Sequence, residues 1–98
     1  MIGVVVPTLG QRADLLVESL QSIRSAGRSY ILLVAPREFS KQSKGLMPDL
    51  YDSVIEDPGE GLAAAINVGI RSLPKEIEFT TWLGDDDLLK QGSLSELE

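Results

Sequence analysis

Ninety-eight residues, 43% of them apolar and 24% charged, suffice for one soluble globular domain, or part of one, with a modest core. Nine basic against fifteen acidic residues leave a net charge of −6, which argues against nucleic acid or an anionic membrane as the main partner. Cysteine and histidine are both absent. That excludes disulfides, thiolate and imidazole metal sites, and Ser-His or Cys-His catalysis; oxygen ligands remain, and these suit Mg²⁺, Mn²⁺ or Ca²⁺.

No run approaches the roughly 18 apolar residues that a membrane helix needs. The amino terminus passes directly into a strand-like segment, without the basic region and cleavage site of a signal peptide. A cytoplasmic protein is expected, with any membrane association supplied by regions outside these residues.

Ile2-Gly3-Val4-Val5-Val6 is a nearly continuous apolar run stopped by Pro7, the pattern of a strand buried on both faces. Pro7-Thr8-Leu9-Gly10 is a turn. Leu16, Leu20 and Ile23 recur at helical spacing, with Val17 beside them. Asp14 and Glu18 in the first half and Gly27 just past the end predict a helix over 12–26.

Tyr30-Ile31-Leu32-Leu33-Val34 is a second strand, ended by Ala35-Pro36. The segment 37–50 is polar and reads as a loop with room for one helical turn. Ser53-Val54-Ile55-Glu56 is a weak third strand, and Asp57-Pro58-Gly59-Glu60-Gly61 breaks the chain. Leu62, Ile66, Ile70 and Leu73 then form the apolar stripe of a helix near 61–73, with Ala63, Ala64 and Ala65 adding propensity. Gly69 would cost that helix about 1 kcal/mol relative to Ala, a cost that close packing on a sheet would explain. Pro74 stops it, Phe79-Thr80-Thr81-Trp82-Leu83 is a fourth strand, and Leu88 begins a further helix or turn that runs to Glu98. Strands alternating with helices imply right-handed crossovers and a mostly parallel α/β sheet.

The main chemical signal is Trp82-Leu83-Gly84-Asp85-Asp86-Asp87. Adjacent carboxylates repel one another and add nothing to a fold. They become useful when a divalent cation stands between them and a phosphate. At the end of a strand they point to a nucleotide site at the carboxyl edge of a sheet, the plain alternative being a solvated acidic turn. An EF-hand register through Asp85, Asp87, Ser93 and Glu96 fails, because Leu89 and Lys90 stand where that loop requires an oxygen ligand and a glycine.

Three blocks together resemble the amino-terminal half of the family-2 glycosyltransferases, which have the GT-A fold. They are Val4-Val5-Val6-Pro7-Thr8 with Arg12 and the leucine-rich helix; Gly61-Leu62-Ala63-Ala64-Ala65-Ile66-Asn67-Val68-Gly69-Ile70; and the acidic block with Gly92, Ser93 and Leu94 after it. The resemblance implies a Rossmann-like sheet of order 3-2-1-4, a partial GT-A fold in which residues 1–98 form the donor-binding part and the acceptor half is absent. It implies transfer of a sugar from a nucleotide-sugar donor, a UDP-sugar by preference, to a saccharide or lipid-linked acceptor, as in polysaccharide biosynthesis, with Mn²⁺ or Mg²⁺ as cofactor. Pro7, Thr8, Arg12, Asn67 and Asp85 would contact the donor, and Asp86 and Asp87 would hold the cation, Asp86 foremost.

Several positions depart from the family pattern. Ala35-Pro36 stand where an acidic residue often contacts the base, Gly84 where the motif often has its first Asp or an Asn, Ala64 where the matching subset has Asp, and Ile66 where others have Arg. The catalytic base is expected beyond this stretch, so none is assigned in it, and a donor-binding fragment with an uncovered sheet edge is expected to self-associate. Trp82 is expected in the core. Two other readings stand beside this one: a sugar-nucleotide nucleotidyltransferase-like domain, whose Gly-rich basic loop is not evident after the first strand, and a non-catalytic α/β interaction domain.

Overall fold

The computed structural model describes residues 1–11, 13–39 and 49–85. Arg12, Asp86, Asp87 and the expected element after Leu88 lie outside the described residues. The elements run β1 (Ile2–Pro7), α1 (Ala13–Ala26), β2 (Ser29–Ala35), β3 (Ser53–Glu56), α2 (Leu62–Ser72) and β4 (Phe79–Trp82). A short helical stretch begins at Arg37 in the segment read as a loop.

The strands form one four-stranded sheet in the order β3-β2-β1-β4, and every pairing is parallel. This is the expected Rossmann-like α/β arrangement. β1 is its central rail: Val5 stands opposite Leu32 on one side and Trp82 on the other. Because side chains alternate along a strand, β1 feeds two cores. Ile2, Val4 and Val6 join Ile31, Leu33 and Ala35 beneath Leu16, Leu20, Ile23 and Ala26 of α1. Val5 joins Leu32 and Val34 against Ala65 of α2, with Val68 and Leu73 alongside. The two helices therefore cover opposite faces. Each fully buried Val, Leu or Ile contributes about 1.5–3 kcal/mol relative to exposure, so the two continuous runs of β1 and β2 dominate the stability.

Gly69 explains how α2 sits so close. A Cβ at this buried position would lie 2.4 Å from Val5 Cγ1 and 3.1 Å from Val34 Cγ2. The helix-propensity cost is thus offset by a close approach that no other residue permits.

Phe39 and Tyr51 complete the α1-side core, although they flank a segment that reads as polar. Phe39 lies under the β1–α1 turn. Gly10 there has φ +75°, and a Cβ on it would come within 2.6 Å of the Phe39 ring, so both conformation and space require glycine.

The amino edge of the sheet is closed by a polar latch. Asp52 Oδ2 accepts the Ile31 N–H at 2.7 Å and meets Arg24 Nη2 at 3.1 Å. The Asp52 N–H donates to the Ile31 carbonyl at 2.8 Å, and Arg24 Nη1 donates to the Ser29 carbonyl at 2.9 Å. One carboxylate thereby ties the end of α1 to the start of β2 and the approach to β3. Among the described residues no helix is long and apolar enough to cross a membrane.

Candidate functional site

At the carboxyl edge the ladder continues past the strand ends. The Thr8 N–H donates to the Val34 carbonyl at 2.9 Å, the Leu83 N–H to the Val5 carbonyl at 3.0 Å, and the Asp57 N–H to the Ala35 carbonyl at 2.8 Å. These bonds fix the first loop residue after β1, β3 and β4 in a common plane. At this edge the chain leaves β1 for the α1 face and leaves β3 for the α2 face, so these connections diverge to opposite sides of the sheet. Such a divergence opens a crevice at the strand ends where α/β sheets hold ligands.

Thr8 and Asp85 meet in that crevice. Thr8 is 4% exposed, and its hydroxyl donates to Asp85 Oδ2 at 2.7 Å while accepting the Gly10 N–H at 3.0 Å. The buried Ser19 hydroxyl of α1 reaches the Gly84 carbonyl at 3.4 Å from beneath. The loop after β4 is therefore held at both its carbonyl and its carboxylate, and Asp85 is aimed by its partner. A hydroxyl-to-carboxylate bond is of the stronger, charge-assisted class.

The crevice is a cavity of about 500 Å³. Pro7, Thr8, Trp82 and Asp85 form its sheet side, while Asp57, Leu62 and Ala65 face it from the β3–α2 turn and the first turns of α2. Leu9 and Gln11 extend its lining from the β1–α1 turn. An apolar slot with a few carboxylate, hydroxyl and amide groups is the usual make-up of a small-molecule site.

The expected donor contacts separate cleanly. Pro7, Thr8 and Asp85 come together in the cavity. Asn67 is exposed in the middle of α2 and does not line it. Two residues along a helix turn through about 200°, so Asn67 lies on the far side from Ala65. Arg12, Asp86 and Asp87 lie outside the described residues.

Trp82 differs from its expected place in the core: it is 46% exposed and lines the cavity. Among the described residues, α2 packs mainly over β1 and β2 while β4 stands at the edge of the sheet, and the ring sits beside Val5. Asp57 was legible in the sequence only as part of a chain break, yet it lines the cavity. Its Oδ1 accepts the Gly59 N–H at 2.8 Å, which shapes the turn before α2.

The described donor set for a cation is Asp85 with the Thr8 hydroxyl beside it, and no cluster of three or more candidate metal ligands occurs among the described residues. Carboxylate and hydroxyl oxygens are the right chemistry for a hard cation such as Mg²⁺ or Mn²⁺. Compared with known proteins, the chain matches no protein-family model and no curated protein.

Proposed function

We propose that the chain binds the nucleotide-sugar donor of a metal-dependent glycosyltransferase of GT-A type. The observation that carries the reading is the Thr8–Asp85 hydrogen bond of 2.7 Å, which joins the ends of β1 and β4 at a cavity of about 500 Å³. The sequence continues from this pair as Asp86-Asp87, two further carboxylates directly after the cavity residue Asp85.

In this reading the apolar slot takes the nucleoside. Thr8 holds Asp85, and Asp85 keeps Oδ1 for a donor hydroxyl. Asp86 and Asp87 would hold the cation, with diphosphate oxygens as further ligands, since two adjacent carboxylates supply too few oxygens for a hard divalent ion. Mg²⁺ or Mn²⁺ held there would supply positive charge to offset that of the departing diphosphate. The role proposed for these residues is to bind and orient the donor, with the acceptor hydroxyl of a saccharide or lipid carrier deprotonated elsewhere.

Calorimetry of UDP with and without Mn²⁺ tests this. Metal and UDP should tighten one another by a coupling of about 1–3 kcal/mol, typical of linked ligands. Asp86→Ala should remove most of the coupling and leave the far-UV circular dichroism unchanged. Equal UDP affinity with and without metal, unaltered by Asp86→Ala, would remove the role given to the acidic triplet.

A further inference from the structure

We infer that Asp57 reads the base of the bound nucleotide and selects an imide edge, the single ring N–H between two carbonyls that uracil presents. The inference rests on the nucleotide reading above and extends it to the ligand's identity.

Asp57 is half-buried at the end of β3 and lines the cavity across from Thr8 and Asp85. Its two oxygens are not equivalent. Oδ1 is occupied by the Gly59 N–H at 2.8 Å, whereas Oδ2 has no hydrogen-bond partner among the described residues. The backbone cannot swing away, because the Asp57 N–H is bonded to the Ala35 carbonyl at 2.8 Å. A fixed carboxylate therefore offers one oxygen to the cavity. An acceptor-only group in a confined slot accepts N–H donors and rejects lone pairs.

The surroundings select a flat ligand. Leu62 and Ala65 of α2, Pro7 of β1 and the Trp82 ring give apolar walls to the same cavity. A heterocycle can lie between them with its edge toward Asp57. Among bases, uracil meets the single free oxygen with a single N–H. Cytosine presents a ring lone pair at that position. Guanine replaces one of the two flanking carbonyls with an amine, so it lacks the second acceptor of the imide edge. The Gln11 amide, also in the cavity lining, is placed to donate to a flanking carbonyl.

The test uses the chain with Mg²⁺ present and measures the affinities of UDP, N3-methyl-UDP, CDP and GDP by calorimetry, for the unsubstituted protein and for Asp57→Asn. A hydrogen bond to a charged acceptor corresponds to roughly 10- to 100-fold in affinity. UDP should bind that much more tightly than N3-methyl-UDP, in a comparison that needs no variant. Asp57→Asn keeps an oxygen for the Gly59 N–H, so its melting temperature should stay close to that of the parent. Its amide can donate to the cytosine ring nitrogen, so the UDP-over-CDP ratio should collapse or invert. Equal binding of UDP and N3-methyl-UDP, or an unchanged UDP-to-CDP ratio in folded Asp57→Asn, would overturn the assignment of Asp57 while leaving the nucleotide site standing. Failure of all four nucleotides to bind would overturn both the site and its base reader.

Discussion

The two edges of the sheet use the same residue types to opposite ends. At the amino edge Asp52 directs one oxygen to the Ile31 N–H and the Arg24 guanidinium, while Arg24 also holds the Ser29 carbonyl. The polar groups there are consumed in tying elements together. At the carboxyl edge Asp85 is held by a single hydroxyl, and Asp57 has one oxygen bonded to its own turn. Each retains acceptor capacity facing a cavity. The apolar groups divide in the same way: Leu9, Leu62 and Trp82 remain 63%, 57% and 46% exposed around that cavity. The Asp52 side chain joins three separate elements, whereas Asp57 bonds only its own turn and Asp85 only one hydroxyl, and both of these stand beside exposed apolar walls.

This contrast can be broken by substitution. The largest effect is expected from Gly69→Val, which drives a branched side chain into Val5 and Val34. It should destabilise the protein by about 1–3 kcal/mol, as overpacked cores do, and lower UDP affinity as well, because α2 carries one cavity wall. Urea unfolding and calorimetry on the same sample read both effects. Next, Asp52→Ala should cost about 1–3 kcal/mol by stranding the Ile31 N–H, with UDP affinity unchanged. Asp52→Asn should cost less than half as much, since the amide oxygen still accepts that N–H and an exposed ion pair adds little.

Thr8→Val inverts the pattern of Asp52→Ala. Stability should fall by only about 1 kcal/mol, the worth of an ordinary hydrogen bond, while UDP binding weakens several-fold as Asp85 loses its aim. If both variants lost stability and binding in the same proportion, the division between the two edges would fail. The smallest effect on stability belongs to Trp82→Ala, within about 0.5 kcal/mol because the ring is half-exposed. Trp82 is the sole tryptophan, so its fluorescence reports the cavity directly. UDP should shift the emission of the parent protein, and a flat titration at saturating UDP would place the ligand away from this wall.

The fold was legible because its dominant signals are local. The apolar runs of β1 and β2, the spacing of Leu16, Leu20 and Ile23, and Pro74 after α2 each act within a few residues. Gly69 was legible as a contradiction, a poor helix former inside a good helix, which only close packing resolves. Thr8 and Asp85 were legible because strand ends carry ligands in parallel sheets. The rest depended on partners that the sequence does not place. Phe39 reads as part of a polar segment until Gly10 comes to lie over it. Trp82 reads as core until β4 proves to stand at the edge of the sheet, with α2 mainly over β1 and β2. Asp57 reads as punctuation until the loops after β1 and β4 surround it, and Asn67 reads as a contact until the helix turns it outward.

The bond between Thr8 and Asp85 spans 77 residues of chain. Closing a loop of this length costs chain entropy, and proteins dominated by such separated contacts fold more slowly. β1 can pair with β2 once little more than a third of the chain exists, but β1 keeps a raw hydrogen-bonding edge until β4 arrives. The cavity is complete only when the chain from β1 through to the loop after β4 has closed, and a nucleotide that bridges β1 and β4 would stabilise that 77-residue closure before it contributed to any chemistry.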